Sequence, residues 1–405
     1  MSDYGINTFR YKDVARVIEK LHILFEQSGI QKGDKIAICG KNSSRWGMAF
    51  FSVVTYGAVA VPILHEFHPN QVHDIVNHSE SKLFFVGERE YANLDAAAMP
   101  GLTGIIGIND YEILSSKNDN LVQARENLNK LFGERFPNTF RPQDVQYYQC
   151  EPEELAIINY TSGTTSNSKG VMIPYRALSS NIEFGIGAIG HFVKPGDRVL
   201  SMLPMAHMYG MAFEFLFEFV SGMHINFLTK MASPTILLKA LAEVKPVIII
   251  MVPLIMEKIV RKSIMPKIQD PKVKLLMKMP VIGDSIKKKI REGLSSALGG
   301  NFYEVIVGGA ALNQDVENLL RDIKFPFTIG YGATECAPII TYSDFKESVA
   351  TSCGKVVVNQ ELKIDSPDPQ NIAGEILTRG LNVMLGYYKN EEATAATLDS
   401  EGWYH

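Results

Sequence analysis

The spacing of apolar residues alternates along the chain between a helical pattern and a strand-like pattern. Residues 11–27 carry apolar side chains at helical spacing, and after a glycine-containing break residues 35–39 form a short apolar run. The same order recurs in two further helix and strand pairs, at 46–56 with 58–63 and at 69–77 with 82–86. Repeated units of this kind predict an α/β fold with doubly wound parallel sheets.

The rest of the chain divides into further regions. A second α/β stretch begins near Tyr175 and contains the β-branched run 247–252, which predicts a buried strand. Residues 109–149 are polar and weakly periodic, which predicts a connector with one short helix. After Ser343 the pattern changes to short strands with Gly and Pro turns, and the strands are predicted at 354–358, 361–364 and 374–378. We predict three units: a first α/β subdomain over 1–174, a second packed against it over 175–343, and a small, distorted β-barrel-like subdomain over 344–405.

Composition narrows the class of protein. Of the 405 residues, 46% are hydrophobic and 21% charged, and the net charge is -4, which suits a globular enzyme and argues against nucleic acid as the main partner. We expect neither a signal peptide nor a transmembrane helix. The cysteines have no metal or redox spacing, so we expect a reducing compartment, the cytoplasm. They are Cys39, Cys150, Cys336 and Cys353.

Residues 160–172 read YTSGTTSNSKGVM and combine small hydroxyl side chains, glycine and one lysine. Gly163 lets the backbone approach an anion closely, the hydroxyls supply hydrogen-bond donors, and Lys169 supplies a flexible positive charge. These features indicate a loop that binds a polyphosphate in a nest of backbone N–H groups. The alternative is a surface turn rich in Ser, Thr and Gly.

The order of residues excludes a P-loop of the Walker type. That motif has Gly before its lysine and Ser or Thr after it, whereas Ser168 and Gly170 flank Lys169 here. Short apolar runs on both sides of the loop predict that it joins two strands instead of opening a helix.

Two further segments carry candidate nucleotide contacts. Residues 330–338, GYGATECAP, place Tyr331 between glycines, where its ring can lie against a purine, and follow it with Thr334 and Glu335. A carboxylate beside a triphosphate needs a divalent cation between them, so Glu335 is a candidate magnesium ligand; the alternative is a solvated turn glutamate. Residues 305–312, VIVGGAAL, predict a buried strand followed by a flat slot for adenine, or alternatively a tight strand-to-helix turn.

These segments resemble the signatures of the AMP-forming acyl-CoA synthetases, an adenylating superfamily. The first signature is usually Tyr or Phe, TSGTTG, any residue and Pro-Lys-Gly, from which this chain departs at Ser166 and Ser168. The resemblance implies ATP, Mg²⁺ and coenzyme A, with the adenine against residues 309–311. It assigns nucleotide and phosphate contacts to Thr161, Ser162, Gly163, Thr164, Thr165, Lys169, Gly309, Ala310, Ala311, Tyr331, Gly332 and Thr334.

Residues 203–210, LPMAHMYG, place His207 among methionines and phenylalanines. A lone histidine in apolar surroundings is most often structural. The resemblance puts this segment along the acyl pocket with His207 beside the reacting carboxylate, so we predict a positioning role and not a general base. The run has no acidic residue, which disfavours an amino-acid substrate in this family.

The resemblance implies that the carboxylate of an acid attacks the α-phosphorus of ATP, pyrophosphate leaves, and coenzyme A takes the acyl group. Residues 252–262, VPLIMEKIVRK, are similar to the long-chain branch, which implies a medium- or long-chain fatty acid. The catalytic candidates act by positioning and charge neutralisation. They are Lys169, Thr334, Glu335 and His207. The alternatives are aryl or short-chain acids, or a protein that binds nucleotide or acyl groups without catalysis.

Two features concern the ends and the surface of the chain. The resembled family continues beyond GWYH into Thr-Gly-Asp and a C-terminal α+β domain with a further lysine, so we expect this domain to be absent, adenylation to be slow and thioester formation to be nearly lost. Residues 257–292 are basic and amphipathic. A solvated helical hairpin and a peripheral contact with anionic lipid both explain that segment.

Overall fold

The structure is a computed structural model that describes residues 1–161, 168–229, 233–268, 270–277 and 279–405. Strands β1 to β9 are Ser2–Asp3, Asn7–Thr8, Lys35–Cys39, Val59–Ile63, Leu83–Val86, Gly104–Gly107, Ile113–Ser116, Leu155–Tyr160 and Gly170–Pro174. Strands β10 to β20 are Arg198–Ser201, His224–Phe227, Ile249–Met251, Val305–Val307, Phe327–Ile329, Tyr331–Gly332, Ile339–Tyr342, Lys355–Val356, Gln360–Asp365, Glu375–Gly380 and Gly386–Tyr387.

The helices lie between these strands. Helices α1 to α8 are Tyr11–Gln27, Ser44–Tyr56, Pro69–His78, Glu88–Tyr91, Asp119–Glu126, Leu128–Arg135, Tyr175–Ala188 and Met208–Met211. Helices α9 to α16 are Phe217–Val220, Pro234–Val244, Pro253–Ser263, Met265–Ile268, Pro271–Met277, Ile282–Ala297, Gln314–Asp322 and Glu391–Thr397. A π-helical turn, Ala212–Leu216, joins α8 to α9.

A large mixed sheet forms the first layer of the molecule. Its strand order is β20-β9-β8-β4-β3-β5-β6-β7. Strands β4, β3, β5 and β6 run parallel, and β3 lies between the two strands that follow it in sequence, which is the doubly wound arrangement. These central strands are buried on both faces because α helices cover the sheet, as their continuous apolar runs predict.

The second half of the chain builds two smaller sheets. One has the order β10-β11-β1-β2, so that the N-terminal strand β1 pairs in parallel with β11. The other has the order β12-β13-β14 and is parallel throughout. Apolar residues of α10, α11, α14 and α15 pack on this second sheet to form their own core. The α/β prediction is therefore confirmed, and the parallel strands of this half are shared between two sheets.

The last part of the chain is antiparallel. Strands β15, β16 and β17 form one sheet and β18 and β19 form another, while β20 returns to the edge of the large sheet and pairs with β9. The described strands of residues 344–405 thus form no closed barrel. The predicted strands of this region agree with the observed ones to within two residues at each end.

The predicted connector over 109–149 is wrong in detail. It contains strand β7, which pairs with β6 at the sheet edge, and the two helices α5 and α6. Leu121, Ala124 and Leu128 are buried in the core that includes α1. Few apolar positions are enough here because each of these helices covers only a small part of α1. No helix among the described residues is both long and apolar enough to cross a bilayer.

Candidate functional site

A cavity of about 60 Å³ lies where β13, β14 and the segment before α8 converge. Five residues predicted from the sequence line it together, although they come from three distant segments. They are His207, Gly309, Tyr331, Gly332 and Thr334. The remaining wall is largely apolar and includes Phe184, Phe213, Ile250, Ile306, Ile339 and Tyr342. One space therefore combines a glycine-rich edge with an apolar wall.

One edge of the cavity is formed by glycines at positions where a side chain would not fit. A side chain at Gly308 would lie 3.1 Å from the ring of Tyr209, and one at Gly332 would overlap the carbonyl oxygen of Pro338. Gly309 has a φ of +87°, a left-handed conformation that glycine adopts without strain. Ala310 and Ala311 follow it as exposed residues outside the cavity lining. The backbone is thus open to a flat ligand at this edge.

Tyr331 begins the short strand β15 and is 38% exposed, with its side chain on the cavity. Burial raises the pKa of its phenol, which therefore stays neutral at physiological pH. A neutral, partly exposed ring beside a glycine edge can stack on a planar base. Thr334 follows within the same cavity wall.

The predicted phosphate loop connects two antiparallel strands, β8 and β9, as the sequence indicates. The backbone N–H of Thr161 donates to the carbonyl oxygen of Lys169 at 3.2 Å, which closes the base of the loop. The predicted contacts Ser162, Gly163, Thr164 and Thr165 lie outside the described residues. Thr161 and Lys169 do not line the cavity.

Tyr387 connects Lys169 with Glu335. The ammonium nitrogen of Lys169 lies 4.7 Å from the centre of the Tyr387 ring, and the Tyr387 hydroxyl donates a hydrogen bond to Oε1 of Glu335 at 2.8 Å. The backbone N–H of Met384 also donates to the carbonyl oxygen of Glu335 at 2.8 Å. The candidate phosphate cation and the candidate metal ligand therefore flank one aromatic ring.

The donor set fits magnesium held jointly by protein and phosphate. The described residues contain no group of three or more His, Cys, Asp or Glu side chains that could hold a metal by themselves. Glu335 offers one half-buried carboxylate. Mg²⁺ commonly binds through one or two carboxylates together with substrate phosphates and water. A single glutamate near a phosphate loop is sufficient for that arrangement.

His207 ends a segment, residues 202–207, that we call the strap. Its Nδ1 accepts a hydrogen bond of 3.3 Å from the backbone N–H of Tyr209 and so caps the N-terminus of α8. Nε2 then carries the proton of the neutral ring. His207 has exposed surface, but this surface borders the cavity, and desolvation by the surrounding protein lowers its pKa. A neutral N–H donor suits a positioning role better than that of a general base.

The start of the strap is held by a buried glutamate. Oε2 of Glu214, in the π-helical turn, accepts hydrogen bonds from the backbone N–H groups of Met202 at 2.8 Å and Leu203 at 2.7 Å. Its environment is fully buried, and this desolvation raises the pKa of Glu214 well above its usual value.

Two asparagines, Asn42 in the loop after β3 and Asn159 in β8, hold the rest of the strap. The Asn42 side chain donates to the carbonyl oxygen of Leu203 at 2.6 Å and accepts from the N–H of Met205 at 2.9 Å. Asn159 donates to the carbonyl oxygen of Ala206 at 2.8 Å. Asn159 belongs to β8, the strand that leads into the phosphate loop. The strap is therefore fixed to the same strand that carries the phosphate loop.

A carboxyl group lies behind the apolar wall. The hydroxyl of Tyr342 donates to Oε1 of Glu304, and the backbone N–H of Phe345 donates to Oε2 at 3.1 Å. Burial raises the pKa of Glu304 to about 7. This contact fixes the orientation of the Tyr342 ring that lines the cavity.

Comparison with known proteins identifies the family. A sequence profile described as AMP-binding enzyme matches residues 2–388. The chain is a member of this family. The match covers both the phosphate loop and the cavity, so the arrangement described above is that of an AMP-binding enzyme.

Curated relatives of this AMP-binding enzyme include fatty-acid ligases. The chain is 31% identical over 290 residues to long-chain-fatty-acid–CoA ligase 4 of Saccharomyces cerevisiae, which is 64% of this chain and 40% of the relative. It is 26% identical over 427 residues to long chain acyl-CoA synthetase 3 of Arabidopsis thaliana, which is 98% of this chain and 63% of the relative. The chain thus spans less than two thirds of the length of these relatives.

Solved structures show that the fold is shared. The anthranilate CoA ligase AuaEII in complex with anthranoyl-AMP superposes with a TM-score of 0.75 at 17% identity, covering 99% of this chain and 72% of that one. The inhibitor-bound N-terminal domain of FACL13 from Mycobacterium tuberculosis superposes with a TM-score of 0.72 at 21% identity, covering 98% of this chain and 88% of that one. The AMP-binding enzyme therefore has the fold of an adenylating domain.

Sequence reasoning missed four side chains around this site: Asn42, Asn159, Glu214 and Tyr387. Asn159 and Glu214 interrupt apolar runs, and a polar residue inside a buried strand or helix is a usable signal, because it must find a hydrogen-bond partner. Tyr387 gives no such signal, since the adjacent Tyr388 has the same side chain and a different contact, with Glu80.

Proposed function

We propose that the protein activates a fatty acid with ATP, forming an acyl-adenylate and pyrophosphate, and then transfers the acyl group to coenzyme A. The observation that carries this proposal is the single cavity in which the glycine edge at Gly309, Tyr331 and Thr334 meets an apolar wall. An adenylating enzyme needs a planar base and an acid side by side, because the carboxylate must reach the α-phosphorus.

The chemistry requires no protein nucleophile. A carboxylate oxygen of the acid forms a bond to the α-phosphorus of ATP, and the bond from that phosphorus to the bridging oxygen breaks, so that pyrophosphate leaves with the electron pair. The acid is already ionised at neutral pH. We assign the adenine to the edge formed by Tyr331 and residues 309–311, with Thr334 beside the phosphates.

The site must also neutralise the negative charge of the phosphates. We assign the leaving pyrophosphate to the loop that ends at Lys169, and the magnesium ion to Glu335. Magnesium when bound there supplies charge to phosphate oxygens. Tyr387 orients both side chains. His207, neutral and held by the strap, orients the carboxylate through its Nε2 proton.

The apolar wall and the relatives favour a fatty acid as substrate. The carboxyl end of an aliphatic chain would contact Phe184, Phe213 and Ile339. The names of the Saccharomyces and Arabidopsis relatives support a long chain, since both refer to long-chain acids. We also propose that such an enzyme collects its substrate at a membrane surface.

A compact aromatic acid is a second candidate. Three rings of the wall pack edge to face, with centroids of Phe184 and Phe213 at 5.9 Å and of Phe184 and Tyr342 at 5.4 Å. A wall of this kind offers ring edges to the face of a bound aromatic ring. Glu304 holds Tyr342 in this arrangement.

Exchange of labelled pyrophosphate into ATP tests the proposal. The protein is incubated with ATP, Mg²⁺ and one acid from a panel of short, medium, long-chain and aryl acids. Fatty acids of medium or long chain should support the highest exchange. Highest exchange with benzoate-like acids would favour the second candidate. Binding of AMP without exchange for any acid would contradict both and favour a binding protein without catalysis.

A further inference from the structure

The connection between α13 and α14 exposes a cluster of large apolar side chains. The cluster, which we call the apolar tip, consists of Leu275, Leu276, Met279, Val281 and Ile282. Leu275 is 67% exposed and Val281 is 80% exposed. The turn is tight, since the N–H of Met279 donates to the carbonyl oxygen of Leu276 at 3.1 Å and that of Gly283 to the carbonyl oxygen of Met279 at 2.8 Å. Apolar side chains concentrated on one exposed turn indicate an interaction site.

Val281 is unexpected at its position. Its φ is +64° and its ψ is -53°, a combination that is unfavourable for a β-branched residue and that Gly adopts more easily. Its side chain gains almost no burial within the protein. Neither backbone conformation nor core packing therefore explains a valine here, whereas contact with an apolar phase outside the protein does.

Positive charge surrounds the tip. Residues 258–291 contain 11 Lys and Arg but 2 Asp and Glu, while the whole chain has 40 basic and 44 acidic residues. The basic residues that are exposed on α11, α13 and α14 are Lys258, Arg261, Lys262, Lys272, Lys288 and Lys289. This helical region is thus strongly basic although the chain as a whole has a net charge of -4.

Helix α14 is attached to the body of the protein along one side. Lys287 forms an ion pair with Asp322, and Arg291 donates to the carbonyl oxygen of Ile323 at 3.4 Å. Leu294 is buried in the core of the second half. Lys288 and Lys289 are exposed. The helix therefore has a docked side and a free basic side.

We propose that α11, α13 and α14 form a docking surface for an anionic lipid bilayer, in which the apolar tip enters the headgroup region and the lysines contact lipid phosphates. Amphipathic helices bind membranes through this combination of apolar burial and attraction to anionic lipid. An acidic protein would match the charge but would leave the aliphatic tip unexplained. This surface would deliver a membrane-borne acid to the proposed ligase.

Vesicle sedimentation tests the surface without any catalytic measurement, so its outcome is independent of the ligase proposal. The protein is mixed with vesicles of phosphatidylcholine alone or with 30% phosphatidylglycerol, a composition chosen so that the surface is clearly anionic. Binding should require phosphatidylglycerol and should fall as salt rises from about 0.1 M to 1 M, because the Debye length shortens from about 10 Å to 3 Å. Equal binding to both compositions would overturn the proposal.

A charge-reversal pair tests the lysines. Lys288→Glu with Lys289→Glu should weaken binding to anionic vesicles at least about tenfold, since each basic residue near a membrane contributes about fivefold. The control is Lys130→Glu with Lys194→Glu, which makes the same change in net charge elsewhere. Lys130 matches Lys288 closely, because each lies 3.9 Å from a glutamate one helical turn on. Equal loss of vesicle binding in both pairs would show that binding depends on the net charge of the protein and not on this surface, and would overturn the proposal.

A second pair tests the apolar tip. Leu275→Gln with Val281→Asn should weaken binding about fivefold or more. Asn lacks the β-branching that makes a positive φ unfavourable for valine, so the melting temperature should not fall because of that change. Ile6→Asn is the control, since Ile6 is 71% exposed in another part of the protein. Unchanged binding in the tip variant would show that the apolar tip does not enter the headgroup region and would overturn the proposal, even if the lysine variant loses binding.

Discussion

The hydroxyl of Tyr387 donates a hydrogen bond of 2.8 Å to the carboxylate of Glu335, although 52 residues separate them in the chain. The same ring lies 4.7 Å from the ammonium nitrogen of Lys169. Burial raises the pKa of Tyr387, so its hydroxyl keeps its proton and remains a donor. A single tyrosine thus connects the end of the phosphate loop with the candidate magnesium ligand.

Tyr387→Phe should separate the two contacts of this ring. Phenylalanine keeps the ring beside Lys169 but leaves Glu335 without its donor, and a hydrogen bond to a charged group is worth about 1.5–3 kcal/mol. We expect the Mg²⁺ concentration for half-maximal pyrophosphate exchange to rise about tenfold. Tyr56→Phe is the control, because it removes a hydroxyl that donates to Ile30 at 3.0 Å away from the cavity. An unchanged Mg²⁺ dependence would remove Tyr387 from the site.

Lys169→Ala should weaken binding of ATP and spare binding of AMP. If Lys169 contacts the β- and γ-phosphates, its removal costs a charge-assisted contact present only with ATP, and we expect about tenfold weaker ATP binding. Titration calorimetry with each nucleotide measures the difference, and Lys130→Ala serves as an exposed control. Equal weakening of AMP binding would contradict the assignment of Lys169 to the leaving pyrophosphate.

Asn159→Ala should reduce turnover more than substrate binding. The alanine leaves the carbonyl oxygen of Ala206 without its buried donor, which costs about 1–3 kcal/mol of stability and lets the strap move. Because misplacement of an orienting group lowers the rate, we expect kcat of exchange to fall about tenfold with the KM for ATP nearly unchanged.

Asn226→Ala is the matched control for this prediction. Asn226 is also a buried asparagine, but the carbonyl oxygens to which it donates, those of Val199 and His224, lie outside the strap. It should lower stability to a similar extent and leave kcat unchanged. A parallel loss of kcat in both variants would show that reduced stability alone explains the effect at Asn159.

Protein stability should fall as pH rises through neutrality, because of Glu218. This side chain is 1% exposed in α9, and burial raises its pKa from 4.5 to about 8. Between pH 4.5 and about pH 8 the folded protein keeps a proton on Glu218 that the unfolded chain has lost. The free energy of unfolding is therefore highest below about pH 4.5 and declines until about pH 8.

Glu218→Gln should remove the share of this decline that is due to Glu218, since the amide does not ionise, and should leave the share that is due to Glu214 and Glu304. We expect the variant to be close to the parent in stability at pH 5 and to be more stable by about 5 kcal/mol at pH 9. Urea unfolding across this range measures the difference. Glu134→Gln changes an exposed carboxyl and should leave the pH dependence as it is. A parent protein whose stability does not change with pH would contradict the burial argument.

Local patterns were sufficient for most helices and strands. The predicted helix at 69–77 and strand at 82–86 correspond to α3 and β5 within one residue at each end. The apolar spacing that defines such elements is a property of neighbouring residues, so it can be read without the fold. The connector failed because α5 and α6 have few apolar residues of their own and owe their burial to α1.

For the candidate site too, some residues could be predicted from the sequence and others could not. Gly309, Tyr331 and Thr334 became candidates from short segments in which glycines, a hydroxyl and a ring indicate a nucleotide, and His207 became a candidate through the family resemblance. Their meeting in one cavity depends on how β13, β14 and the strap are packed together. Asn42 was not identified because its three partners lie about 160 residues away along the chain.

The sequence by itself determined the local elements, the loop that joins β8 to β9 and the candidate residues for a nucleotide site, because each depends on neighbours along the chain. Only the tertiary structure decided that β1 pairs with β11, that β20 returns to β9, and that Tyr387 reaches Glu335. The physical reason is that such pairings form between the strand edges and buried polar groups that still lack hydrogen-bond partners once the layers have packed.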